Sequence, residues 1–510
     1  MSVLEPTLLL CVFGFFSSLR PSEPFLTAFL LGPDHNLTEE QPLRRRKQTV
    51  LARPPSPQQQ TVLSVGVWQA LPQQQDKDQQ TQKQVVNEIY PVWTYSYLAL
   101  LLPVFLATDY LCYKPVLVLQ ATSLVVTYVI LLKARGLPAM QLLEFFFGLA
   151  TASEVAYYSY IYSVVEPAHY QKVTGYCRSV TLFGSAAGSL TGQLLLSLAK
   201  VRLVHLVIIT LASSAVAFVA PWFLPMPKRS LFFHMGAGEG GPRSSSKALL
   251  EKDSERELPL NGVTTISSSS ETGSQGSGFV KVLRILFDDF LQCYRSGPLL
   301  AWSLWWALAT CGYFQVVNYA QALWENVRPS QDYEIYNGYV ETLSTLLGAL
   351  AALLVGCLPL SWTQWGELAL CVLSLLMAVC VFVMDTVRNI WMCYASYIFF
   401  RATYMLLITM ATYQIAASLS MQRYALVFGV NTFMALLLQS LLTVVVVDSA
   451  GLGLDVFTQF LIYGCYFAVI SLVFLLAGVC KLASRRRCRQ GGADSPETDS
   501  PSTQDASSTR

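Results

Sequence analysis

The sequence predicts an all-α polytopic membrane protein. Of its 510 residues, 53% are hydrophobic and only 13% are charged, about half the charged share of an ordinary soluble protein. The apolar residues are gathered into long runs, and a helix needs about 20 such residues to cross a bilayer. A soluble fold of this size would leave large apolar patches in contact with water.

Twelve runs can form membrane helices, and a polar stretch separates them into two sets of six. The runs cover about residues 6–31, 89–108, 115–134, 140–164, 170–199, 203–225, 297–323, 335–358, 364–384, 388–414, 423–447 and 454–480. The first run resembles the core of a signal peptide, but no basic region precedes it and its apolar character continues through Phe25–Leu31. We therefore interpret it as the first membrane helix.

The organisation is two six-helix halves, 1–225 and 282–480. The serine-rich linker 226–281 and the tail 481–510 are predicted to be disordered, because they are polar and lack a periodic apolar pattern. This layout is shared by the major facilitator superfamily fold, whose halves rock about a central site.

Basic residues predict the orientation of the helices. Lys114, Lys228, Arg229 and the run Arg485–Arg487 all fall on one side of a twelve-helix count, so that side and both termini are expected to be cytosolic. The sequon at Asn36 then lies outside, where it is predicted to be glycosylated.

Segment 42–84 disagrees with this rule. It would lie outside, yet it is rich in glutamine and includes the basic run Arg44–Lys47. Its composition predicts a disordered extracellular insertion without a packed core.

Ionisable residues inside the predicted helices are the first candidates for a functional site, because a charge in the bilayer must be paired or hydrated. They are Glu23, Glu144, Glu154, Arg178, Glu341 and Arg401. Four acids against two bases favour a cationic ligand or an exchanged proton. Glu341 either contacts the ligand or neutralises Arg401.

Glu23 stands out because Pro21 and Pro24 flank it. Proline removes backbone hydrogen bonds, so we expect the helix to break around this acid, as helices do at substrate sites of transporters. The alternative is a packing kink in which Glu23 pairs with Arg20.

Two further patterns bear on the site. Glu144 and Glu154 lie ten positions apart and therefore face different neighbours; one can line a cavity while the other pairs with Arg178. Aromatic residues near the acids, among them Tyr90 and Trp93, can stack on a flat ring or hold a cation. Gly184, Gly188 and Gly192 predict a small-residue face for close helix packing.

Several classes of function find no support in the sequence. The four histidines are scattered singly, which argues against a metal site. There is no glycine-rich phosphate loop and no Ser/His/Asp set, so we expect neither an enzyme nor a bound cofactor. No sustained basic face predicts nucleic acid binding.

Four strings of residues are specific. They are Leu19–Leu26, Asn87–Tyr97, Glu154–Tyr158 and Arg423–Gly429. Together they resemble the folate/thiamine carriers, solute carrier family 19, over residues 8–40 and 86–480. Within that family, Gly312–Tyr319 and Ile335–Gly338 are most similar to the thiamine carriers.

The resemblance implies a monomeric plasma-membrane carrier that takes up thiamine by alternating access, in exchange for protons. It implies substrate contacts at Glu23 in the SEPF motif, at Tyr90 and Trp93 in NEIYPVW, and at Glu144 in EFF. Asn318 in VVNY rests on the resemblance alone, and Glu341 follows YNG. A folate anion or another organic cation remains an alternative substrate, and a receptor or membrane enzyme is a more distant alternative.

The chain departs from the family pattern in three places. Phe147 stands where the family usually has tyrosine; it keeps a ring for stacking and loses a hydroxyl. Cys112 replaces a usual arginine, which would weaken a contact with Asp109. Related chains also run almost directly from the sequon to NEIYPVW, so segment 42–84 is either a splice or gene-model product or a functional loop.

Overall fold

The computed structural model describes residues 4–32, 80–111, 113–164, 170–226, 297–357, 362–417 and 421–491. The sequon at Asn36, most of segment 42–84, Cys112, the central linker and the end of the tail lie outside these ranges. The described residues are almost entirely helical, as the apolar runs predict.

The first half contains seven helical pieces, because its first span is in two parts. They are α1 (Leu4–Ser18), α2 (Leu26–Leu31), α3 (Tyr90–Tyr110), α4 (Lys114–Lys133), α5 (Leu137–Val164), α6 (Tyr170–Ser197) and α7 (Leu203–Phe223). A single π-helical turn, Val85–Ile89, precedes α3.

The second half contains six helices in the same up-and-down order. They are α8 (Gly297–Val327), α9 (Asn337–Cys357), α10 (Trp362–Thr386), α11 (Ile390–Ala417), α12 (Met421–Leu442) and α13 (Val456–Gly491). Counting α1 and α2 as one span, the described helices supply all twelve predicted crossings.

Seven helices in the described ranges are long and apolar enough to cross a membrane by length and composition: α3, α4, α7, α9, α10, α12 and α13. The other five spans are the broken one and the four that contain Glu144 and Glu154, Arg178, Asn318, and Arg401. Polar residues on these helices lower their mean hydropathy, so the exceptions mark where polar groups are kept inside the bundle.

The break in the first span lies where the two prolines predict it. Helix α1 ends at Ser18, Glu23–Phe25 form one 3₁₀ turn, and α2 begins at Leu26. Neither Pro21 nor Pro24 has an N–H to continue the α-helical ladder. The backbone groups freed by the break must find other partners.

Helix α6 packs closely on this broken span, as its glycines predict. A Cβ atom on Gly184 would lie 2.7 Å from the Phe15 carbonyl oxygen, and one on Gly188 would lie 2.7 Å from the Arg20 amide nitrogen. Only glycine permits this approach of two backbones. The small-residue face therefore fixes α6 against α1 and the start of the break.

The outer surface suits lipid. Large apolar side chains are exposed along several helices, for example Leu353, Phe399 and Val469. Inside, the second half has its own core around Trp305, Trp324 and Tyr397, while Phe13 and Tyr157 belong to a core of the first half. Each half is therefore a packed helical bundle with an apolar exterior.

The polar contacts that join the halves, within the described ranges, concentrate at one end of the bundle, which we call the closed end. It holds the N-terminus of α3, the α6–α7 and α8–α9 connections and the segment after α12. Tyr95 donates to Asp448 at 2.7 Å there, and the Ser449 amide donates to the Asn87 carbonyl at 3.3 Å.

Candidate functional site

Glu23 lies in the break, half exposed. Its carboxylate is 3.5 Å from the Arg20 guanidinium, and 47% of its side chain is exposed. Arg20 also donates to the Ser17 carbonyl at 2.7 Å and lies 5.5 Å from the centre of the Phe147 ring. Arg20 thus brings Glu23 and Phe147, two of the predicted contact residues, to one place.

Tyr90 is tied to α2, beyond the break. Its hydroxyl and that of Thr27 form a hydrogen bond of 2.7 Å. Its ring centre is 6.2 Å from that of Tyr319 on α8. Tyr90 therefore contacts both the broken span and the opposite half.

Trp93 lies one turn further along α3. Its indole N–H donates to Thr151 on α5 at 3.2 Å, and its ring meets Phe314 of α8 edge to face at 6.2 Å. The hydrogen bond fixes the indole plane, so a broad aromatic face is held between the two halves.

Glu144 is the most buried of the predicted acids, with 4% of its surface exposed. Within the described part of the chain its carboxylate has neither an ion pair nor a hydrogen bond. It lies within electrostatic reach of Tyr90 and Tyr319. A buried carboxyl group without a partner is costly unless a cation or a proton accompanies it.

Asn318 is half buried on α8, and its amide has no hydrogen bond to any described residue. Phe314 and Gln321, four positions before and three after it, both contact the first half. Positions at this spacing share one helix face. Asn318 therefore lies on the face of α8 that meets the first half, with its amide available.

Glu341 is paired rather than free. Its carboxylate accepts hydrogen bonds from Arg401 and, at 2.8 Å, from the Tyr397 hydroxyl. Arg401 also donates to Ser344 at 2.9 Å. Of the two roles left open by the sequence, neutralisation of Arg401 is the one seen here, and these partners all belong to the second half.

The exposed Glu154 lies on another side of α5 from Glu144, as their spacing predicts. It is within electrostatic reach of Arg20 and Arg178. The two acids of α5 thus have different surroundings, and only Glu144 is enclosed.

The sequence gave no sign of the residues that hold the break together. Ser22 accepts from or donates to Thr210 at 2.9 Å, Gln321 donates to the Glu23 carbonyl at 3.0 Å, and Asn337 donates to the Pro24 carbonyl at 3.1 Å. One available signal was position: Gln321 lies three residues after Asn318 on the same face.

A pocket of about 380 Å³ lies at the closed end, between the α6–α7 and α8–α9 connections. The predicted contact residues do not line it. Lys200 and Glu334 meet across it at 2.7 Å. Each raises or lowers the pKa of the other in the sense that favours the ion pair: Lys200 upward and Glu334 downward.

The reduced folate carrier family model matches residues 2–45 and 71–462. The chain is 53% identical to human thiamine transporter 1 over 95% of this chain and 91% of that protein, and 52% identical to its mouse counterpart over 96% and 93%. The human reduced folate transporter is 37% identical over 94% of this chain and 73% of its own length.

Solved transporter structures share the fold. The nucleoside transporter NupG aligns with a TM-score of 0.55 at 13% identity, over 92% of this chain and 98–99% of that one. A D-xylose–proton symporter aligns with a TM-score of 0.56 at 10% identity, over 93% and 97%. At such low identity the likeness establishes the fold alone, which is the major facilitator type.

Proposed function

This chain belongs to the reduced folate carrier family, and we propose that within it the protein is a secondary transporter that imports thiamine by alternating access. The relatives named thiamine transporter 1 are 52–53% identical to it, whereas the human reduced folate transporter is 37% identical. The higher similarity favours thiamine over folate. A transporter of this family needs no enzymatic chemistry.

The observation that carries the proposal is the enclosed, unpartnered carboxyl group of Glu144. Thiamine carries a permanently charged thiazolium ring and a flat aminopyrimidine. A buried carboxylate attracts the cation strongly because little water screens it. The aromatic faces of Trp93 and Phe147 can stack on the rings, and the free amide of Asn318 can hydrogen-bond the aminopyrimidine edge.

The intramembrane arginines support a cation rather than an anion. Arg20 pairs with Glu23, and Arg401 pairs with Glu341. Both also lie over aromatic rings, those of Phe147 and Tyr397. Their charges are already used inside the protein, so a folate anion would have to break these pairs to reach them.

Exchange for protons follows from the same carboxyl group. Glu144 can be neutralised by a proton or by thiamine, and holding one disfavours holding the other. Binding of thiamine from one side and of a proton from the other would then couple the two fluxes. We propose Glu144 as the group where this exchange occurs, with Glu23 at the half-exposed entrance.

We further propose that the protein acts as a monomer in the plasma membrane, with the closed end outside and both termini in the cytosol. The basic residues at the opposite end of the helices and the sequon at Asn36 support this orientation. In that orientation the described arrangement is closed towards the outside.

Labelled thiamine uptake by cells that express Glu144→Gln tests the proposal. Glutamine keeps the size and removes the charge, so uptake should fall at least about tenfold at equal surface expression. Asp332→Asn makes the same chemical change on an exposed loop and should leave uptake unchanged. Normal uptake by Glu144→Gln would remove Glu144 from the site.

A further inference from the structure

The break in the first span presents backbone groups that helix geometry leaves without partners. In a continuous α-helix the Thr27 amide would donate to the Glu23 carbonyl. Here the Leu26 amide takes that carbonyl, and the Thr27 amide starts a new helix, where the first amides have no partner within the helix.

Gln321 of α8 serves both sides of this break. Its side-chain amide donates to the Glu23 carbonyl at 3.0 Å, and its side-chain oxygen accepts from the Thr27 amide at 3.3 Å. One carboxamide thus replaces the missing bond between Glu23 and Thr27, acting as a cap supplied by the other half. Side chains that meet this way are close to 300 positions apart in the chain.

The two residues that Gln321 holds lead directly to the proposed substrate contacts. Glu23 is itself one of them, and its backbone position sets where its half-exposed carboxylate lies. The Thr27 hydroxyl is hydrogen-bonded to Tyr90 at 2.7 Å. Fixing the Thr27 backbone therefore also fixes the Tyr90 hydroxyl.

We propose that Gln321 is a positioning residue that assembles Glu23 and Tyr90 into the thiamine site only while the halves are joined at the closed end. Gln321 belongs to the second half and the break to the first. When the halves separate at this end, both bonds must be lost. The site then has different geometry in the two states of the cycle, which is how a carrier binds more tightly in one state than in the other.

Asn337 strengthens the same arrangement from α9. It donates to the Pro24 carbonyl at 3.1 Å and accepts from the Tyr394 hydroxyl at 2.8 Å. The break is therefore held by two helices of the second half.

This inference rests on the proposed thiamine transport, and binding of labelled thiamine to the purified full-length protein tests it. Gln321→Met keeps the length of the side chain and removes both hydrogen bonds, so thiamine should bind about five- to tenfold more weakly. Gln331→Met is the matched control: Gln331 also reaches across to the first half, donating to the Leu31 carbonyl at 3.4 Å, but it does not touch the break. Its affinity should equal that of wild type.

A double-mutant cycle with Tyr90→Phe distinguishes positioning from general loss of structure. If Gln321 acts through Thr27 on the Tyr90 hydroxyl, the double variant should bind thiamine more tightly than the product of the two single losses predicts. Simple multiplication of the losses, or wild-type binding by Gln321→Met, would overturn the inference.

Two further results are assigned in advance. If Gln321→Met does not fold, Gln321→Glu takes its place in the cycle, since it keeps the acceptor for Thr27 and loses the donor to Glu23. If wild type itself binds no thiamine, the proposed function fails and not this inference alone.

Discussion

Arg401 pairs with Glu341 between two helices of the second half, and both side chains are largely buried, 13% and 19% exposed. Removing one member of such a pair leaves an uncompensated charge in a low-dielectric interior. The pair is therefore a test of how the bundle tolerates intramembrane charge.

We predict that Glu341→Gln and Arg401→Gln each destabilise the protein, by about 3–5 kcal/mol. The double variant should recover most of this loss, because two neutral amides leave no unpaired charge. Thermal unfolding of the purified proteins in the same detergent measures the three values. Additive losses in the double variant would mean that the two side chains do not stabilise each other.

The glycine face of α6 gives a second prediction. Gly188→Ala should lower stability by about 1–3 kcal/mol, because the added methyl group meets the Arg20 backbone and not a movable side chain. Gly175→Ala lies on the same helix with no atom within 4 Å of the new methyl group. It should be neutral or slightly stabilising, and equal losses at the two positions would contradict the proposed helix contact.

Phe147 gives a gain-of-affinity prediction. Phe147→Tyr restores the hydroxyl that related carriers usually have, on a ring that lies beside Arg20 and Glu23. One added hydrogen bond to thiamine should lower the apparent KM by about two- to tenfold. Concentration-dependent uptake measures it, and an unchanged or higher KM would place this ring away from the substrate.

The exposed pair at the closed end gives a pH prediction. Glu334 has a lowered pKa and Lys200 a raised one, so their attraction is present at neutral pH. It is lost when the pH falls through the lowered pKa of Glu334, or rises through the raised pKa of Lys200.

The double variant Lys200→Met/Glu334→Gln provides the comparison. Labelling of a cysteine placed at Ser197, which lines the closed-end pocket, should be faster in the double variant than in the protein with both charges at neutral pH. The difference should shrink in strong acid and in high salt, since both charges are exposed. A difference independent of pH and salt would exclude the ion pair as its cause.

The membrane spans and the break could be predicted because their causes are local. An apolar run of about 20 residues is sufficient for a span, and two prolines around Glu23 are sufficient for a break. The family proposed from the SEPF and NEIYPVW strings is confirmed by the family match. The contact residues and the domain boundaries remain predictions.

The contacts across the break could not be predicted in the same way. Gln321 reaches Glu23 and Thr27 from another helix, and an amide side chain on a membrane helix does not indicate which distant backbone it will meet. Likewise, the sequence left two roles for Glu341, because its pairing with Arg401 depends on the rotation of α9 against α11. Asn318 was identified through the resemblance alone.

Transport by the isolated protein tests the central claim most directly. Proteoliposomes that contain only this protein should accumulate labelled thiamine, faster with an acidic interior, and excess unlabelled thiamine should abolish the uptake while excess folate leaves it intact. Absence of thiamine accumulation, or uptake that folate displaces as readily as thiamine, would contradict an acidic site built for an organic cation.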